Sequence, residues 1–240
     1  MAPELEHLEK SGHFYHRGRD TTRLEAFVDA AFAFALTLLV ISFDAVPQSF
    51  EALTTALKAV PAFLMAFYIL AIFWLAHRKW SIRFGLDTTF STVVSLALVF
   101  IILVYVFPLR AMAAAAMSAM TNGLLPTEFT ARSIGEMRGL FITYGIGFFA
   151  CSFCIILLNR HAMSLADTLK LTPEERMLTR FEVMSWWFVG GFGVFSVVLA
   201  IVLPDPLVGL AGWSYMTMAI VMPLFGYITR KRFTEQFGGS

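Results

Sequence analysis

Thr22-Arg-Leu-Glu-Ala-Phe-Val-Asp29-Ala-Ala-Phe-Ala-Phe34-Ala-Leu-Thr-Leu-Leu-Val-Ile41-Ser-Phe-Asp44 sets the terms for the whole chain. Beyond Asp29 it is apolar as far as Ile41 except for Thr37. The run has no period of two, which selects a helix over a strand. At about 1.5 Å per residue it is long enough to cross a hydrocarbon core about 30 Å thick. Its first half nevertheless carries Arg23, Glu25 and Asp29. Ionisable groups in a span are costly unless they are paired or hydrated, so this helix needs polar neighbours. At about 100° per residue, Phe27, Ala30, Phe34, Thr37, Leu38 and Ile41 share one stripe, and Glu25 and Asp29 lie opposite. Two faces of different chemistry predict two different neighbours.

The rest of the chain reads as more membrane. Of 240 residues, 58% are hydrophobic and 15% charged, 25 are Phe, and the mean hydropathy is +0.72. Soluble domains run at about 45–50% apolar and about 25% charged. The excess apolar surface therefore faces lipid. We read six spans, at 22–43, 61–77, 88–109, 139–159, 183–203 and 207–228. The fold class is all-α integral membrane protein, because helices satisfy their own backbone in lipid. The expected organisation is an N-terminal segment over 1–21, a six-helix membrane domain over 22–229 and a tail over 230–240. The first 20 residues are charged and contain no apolar core, so they do not resemble a cleavable signal.

Charge placement orients the bundle. With six spans, one side holds Lys10, Arg17, Arg19, Arg23, Arg78, Lys79, Arg83, Arg160, Lys170, Arg176, Arg180, Arg230, Lys231 and Arg232. The other side holds Lys58, Arg110, Arg132 and Arg138. This positive-inside bias predicts that both termini are cytoplasmic in a multi-pass plasma-membrane protein. Residues 47–60 suggest a short interfacial helix before Pro61 opens the second span, and 110–122 extend the third. Thr172, Pro173 and Glu175 form a helix start of the capping-box type.

The acidic face of the first span finds partners at the end of the second. His77 lies at the same depth, and Trp74, one turn earlier, offers an indole N–H. A network of Asp29, His77, Trp74 and Arg23 would satisfy the carboxylate; its simplest role is to lock helices together. The opposite stripe has two readings. Its small neighbours Ala26, Ala30, Ala31, Ala33 and Ala35 suit ordinary close packing. Alternatively, several copies around an axis would stack Phe34, Leu38 and Ile41 into apolar rings that gate ions by dewetting, with the Thr37 hydroxyl beside them.

These residues carry a resemblance. Arg23, Phe27, Val28 and Asp29, followed by Ala-Ala-Phe-Ala-Phe-Ala-Leu-Thr-Leu-Leu, resemble the Arg-x-x-x-Phe-Ser-Asp signature that opens the endolysosomal potassium channels, the transmembrane protein 175 family. Phe73, Trp74 and His77 resemble its Phe-Trp-x-x-His, and Pro108 its third-span proline. The likeness covers residues 23–109. It implies a prokaryotic homologue in which six-helix subunits form a homotetramer, the first helix lining a central potassium pathway. By position it implies that Phe34, Leu38 and Ile41 are the pore constriction and Thr37 its polar layer. It implies that Arg23, Phe27, Asp29, Trp74 and His77 are the structural network behind them. Val28 stands where the signature has Ser, Phe34 where Ile or Leu is usual, and Ser95 and Ala97 where an Asn partner is expected.

Other chemistries find no support. There is no Thr-Val-Gly-Tyr-Gly filter, no nucleotide loop, no H-E-x-x-H and no G-x-S-x-G. No enzymatic activity, cofactor or metal is expected; the resemblance implies a potassium ion as the permeant species. A net charge of +1 argues against nucleic acid as a partner. Cys151 and Cys154 lie in an apolar span and read as buried thiols. Gly190, Gly191 and Gly193 read as close packing or a kink in the fifth span. The sequence leaves two further possibilities: a secondary transporter with Asp29 and His77 as an ion relay, or a non-conducting scaffold plugged by Phe34.

Overall fold

Lipid offers no partner for backbone N–H and C=O groups, so long apolar runs close their hydrogen bonds within themselves. The computed structural model describes residues 7–18, 20–41, 48–127 and 129–238, the side chains of residues 40 and 41 excepted. Eight α-helices follow a two-residue antiparallel pair, β1 (Lys10–Ser11) with β2 (Phe14–Tyr15). They are α1 (Arg23–Ile41), α2 (Phe50–Lys58), α3 (Val60–Phe84), α4 (Thr89–Met120), α5 (Ile134–Ser164), α6 (Pro173–Val202), α7 (Leu210–Trp213) and α8 (Met218–Phe237).

Among the described residues, five helical stretches are long and apolar enough to cross a membrane: Phe50–Phe84, Thr89–Met120, Ile134–Ser164, Pro173–Val202 and Asp205–Phe237. The protein is a multi-pass membrane protein. Helix α1, with 19 residues, stands beside them and packs on α4 and α3. The helices outrun the expected spans because their ends are capped beyond the apolar core. Ser49 caps α2, and Pro61 lies in the first turn of α3. The Thr88 and Ser91 side chains form a reciprocal box at α4, as Thr172 and Glu175 do at α6.

The last span, read over 207–228, lies within the helical stretch Asp205–Phe237, whose first half alternates tight and regular turns. A 3-10 turn at Asp205–Leu207, the short α7 and a second 3-10 turn at Ser214–Thr217 precede α8. Pro204, Pro206, Gly209 and Gly212 disfavour a regular helix there. Gly212 also fits against Phe141, whose ring a Cβ would meet at 2.8 Å. Arg230, Lys231 and Arg232 lie within α8, which continues to Phe237.

The core is contiguous. Phe73, Phe148 and Trp186 meet at ring separations of 5.5–5.7 Å, tying α3, α5 and α6 together. Helices α5 and α6 approach most closely where glycines face each other. A Cβ on Gly145 would lie 2.6 Å from the Gly193 carbonyl oxygen, and the reverse holds equally. Cys151 and Cys154 are buried free thiols, as read.

Residues 7–18 form an arm folded over one end of the bundle. Phe14 and Tyr15 are buried, and the Arg83 guanidinium sits 3.9 Å from the Phe14 ring centroid. Arg17 donates from Nη1 and Nη2 to the two carboxylate oxygens of Glu175, at 2.8 and 2.9 Å. Nothing in the sequence alone had paired these two residues.

Candidate functional site

Helix α1 begins with a capping box. Thr22 N donates to Glu25 Oε2 at 2.9 Å, and Glu25 N donates to Thr22 Oγ1 at 3.2 Å. Ser81 Oγ, near the end of α3, donates to the same Glu25 carboxylate at Oε1. The acidic residue in the first turn also suits the positive end of the helix dipole.

From there α1 divides sharply. Val28, Phe32, Ala35 and Leu39, spaced four, three and four residues apart, are at most 2% exposed. They form the face that packs into the bundle. Phe27 and Phe34 are 54% and 56% exposed, and Ala26, Ala30, Ala33 and Thr37 are exposed with them. The stripe singled out from the sequence thus lies on the outward side of α1. Thr37 Oγ1 donates to the Phe34 carbonyl at 2.7 Å, which leaves its oxygen lone pairs facing outward. Leu38 stands at the flank, half-buried, lining a cavity of about 220 Å³ with Val106, Phe107, Arg110, Ala111, Ala114 and Phe129. The Ile41 side chain lies outside the described residues.

The acidic side is organised as two hydrogen-bonded pairs. Trp74 Nε1 donates to Asp29 Oδ1 at 2.7 Å. His77, 2% exposed, has Nε2 within 2.9 Å of Ser95 Oγ. Ser95 on α4 therefore supplies a polar partner where the resemblance had suggested Asn. A cation stands beside Trp74, but it is Arg78, whose guanidinium lies 5.8 Å from the indole centroid. Arg23 and Phe27 are exposed on the outward side of α1. Sequence reasoning missed Ser81 and Arg78 as members. The legible signal was their position, four residues after His77 and four after Trp74 respectively, on faces of α3 already known to be polar.

Asp29, His77, Glu25 and Ser81 open onto a polar cleft of about 630 Å³, also lined by Glu9, His16, Asp20 and Arg78. Its carboxylates outnumber its Arg and Lys residues, and clefts lined by one sign of charge concentrate the opposite ion. Among the described residues no group of three His, Cys, Asp or Glu side chains could hold a metal ion.

Fold and site together define an all-helical membrane protein whose first helix keeps one apolar face outside its own bundle. Residues 23–108 match the family model described as endosomal/lysosomal potassium channel TMEM175. A protein of Marivirga tractuosa named "Potassium channel" is 28% identical over 229 residues, covering 91% of this chain and 92% of that one. The crystal structure of a threonine-to-alanine variant of the potassium channel MtTMEM175, in complex with a nanobody–MBP fusion protein, is also similar. It superposes with a TM-score of 0.79 at 27% identity, over 93% of this chain and 100% of the other. The chain is thus similar to the endosomal/lysosomal potassium channels over residues 23–108, and to these two potassium channels over most of its length.

Proposed function

We propose that this chain is the subunit of a potassium-permeable cation channel, assembled as a homotetramer with α1 around the central axis. The observation that carries the reading is the outward face of α1. Its own protomer leaves Phe34, Thr37 and three alanines uncovered, on the helix that bears the family signature. The alanines let copies approach closely, and stacked Phe34 rings with Leu38 and Ile41 form an apolar constriction. A wetted constriction passes cations and a dry one blocks them, so no carbonyl filter is required. Thr37 offers a hydroxyl layer to a partly dehydrated ion. Behind it, Asp29 and Trp74 tie α1 to α3, and His77 ties α3 to α4, with Arg23 and Phe27 at the same end.

In this reading α1 is the first of six spans, the sixth being the helical stretch that begins after Pro204. The arm and the end of α8 face the cytoplasm of a prokaryotic cell, and the acidic cleft gathers cations on that side. Ion flux through purified protein in vesicles, with potassium, sodium and protons compared, tests the reading. Passive potassium flux is expected; saturable flux coupled to a second ion would indicate a transporter, and silence a scaffold. Phe34→Ala should change conductance or ion discrimination, whereas Phe63→Ala, on α3, should leave both unchanged. Equal effects from the two would remove Phe34 from the pore.

A further inference from the structure

Glu175 and Arg17 are buried together, with side chains 0% and 8% exposed. Glu175 also accepts from Tyr15 N at 2.9 Å and from Thr172 N at 2.9 Å. Arg17 donates further to the carbonyls of Leu169, Tyr15 and Arg83. The pair therefore gathers the arm, the α5–α6 connection, the start of α6 and the end of α3 at one point. Apolar side chains of similar volume would hold the arm at least as firmly, because a buried ion pair gives back much of its attraction as lost hydration. What the pair adds is a single permitted geometry, since two parallel N–H···O bonds fix both distance and plane.

That geometry is passed to α1 over a short path. Only residues 18–22 separate Arg17 from the first residue of α1. Gly18 N donates to the Ile82 carbonyl at 3.1 Å, and a Cβ on Gly18 would come within 2.6 Å of the Ser81 carbonyl oxygen. Gly85, which has φ +55, is packed on the Arg17 carbonyl, where a Cβ would lie at 2.8 Å. Ser81 in turn binds Glu25 in the first turn of α1. A chain of contacts thus runs from Glu175 through Arg17, Gly18 and Ser81 to Glu25.

We propose that Arg17 and Glu175 are positioning residues for conduction: through Ser81 and Glu25 they hold the first turn of α1, and so set how often the pore opens. The proposal rests on the channel reading above. It predicts that open probability changes while the conductance of each open channel does not, because the pair touches no ion.

Single-channel recording in planar bilayers reads both quantities. Hydrogen exchange of the amides of residues 24–29 reads the helix start without any current. Arg17→Lys keeps the charge but loses the bidentate geometry, and Glu175→Gln keeps the size. Each should shift open probability roughly five- to tenfold, the low end of ordinary coupling between sites, and speed exchange at 24–29 by a similar factor. Insertion of two glycines after Asp20 keeps the pair and slackens the path, and it should reproduce the single variants. Insertion without effect on exchange and open probability would overturn the proposal, even where a side-chain variant fails to fold. A change in unitary conductance equal to that in open probability would also overturn it. A silent wild type would sink the channel reading alone, and exchange would still decide whether the pair holds α1.

Discussion

Two surfaces of this molecule are built from small residues, and they end differently. Between α5 and α6, Gly145 and Gly193 are spent inside the protomer: each backbone occupies the space the other's side chain would need. On α1, Ala26, Ala30 and Ala33 are exposed and face outward beside Phe34. Lipid tails are as apolar as leucine, so helices associate in a membrane through close contact and not through escape from water. Small residues are thus informative by the neighbour they admit. In α5–α6 the neighbour is within the chain. On α1 the face awaits another copy, as proposed above.

The comparison can be broken first at its rigid end. Gly193→Leu forces a side chain into backbone that has no room to give, and it should cost about 3 kcal/mol, the upper end of ordinary overpacking. Thermal unfolding of the detergent-purified protein reads this directly, and an unchanged midpoint would mean that the glycine contact is not tight. Asp29→Ala removes the acceptor of the Trp74 indole and should cost about 1 kcal/mol. We expect it to lower the yield of assembled protein more than it alters the potassium-to-sodium ratio; the reverse would make Asp29 an ion-handling residue. Ala30→Leu should shift the unfolding of the protomer by less than about 0.5 kcal/mol, because the site is exposed. Cross-linking or native mass measurement should nevertheless lose the assembled species. If both measurements stay put, the outward face of α1 is a lipid face and the contrast with α5–α6 disappears.

Most of the helices were legible because each apolar run carries its own boundary. Thr172-Pro173-x-Glu175 marked the start of α6 by local chemistry alone, and Pro61 marked the start of α3. The outward stripe of α1 was legible too, since helical periodicity orders Phe27, Ala30, Phe34 and Thr37 whatever they face. Three things were not. The alternation of 3-10 and α turns after Pro204 depends on competition between weak helix formers and the packing of Gly212 on Phe141. The partner of His77 was uncertain because a serine replaced the expected amide, and only the register of α4 against α3 identifies Ser95. The arm was unreadable, because Arg17 and Glu175 lie 158 positions apart and neither stands out among neighbouring charges. Glu175 was recognised as a cap, and its second use of the same carboxylate appears only when the tertiary fold closes.

The two native cysteines have a practical bearing on all of this. Cys151 and Cys154, at 0% and 5% exposure, are shielded by the bundle itself. A water-borne maleimide should pass them by, so a single reporter thiol placed on the arm or along the outer stripe of α1 can be labelled without first stripping the background. The chain is in that sense already prepared for spin or fluorophore ruler measurements.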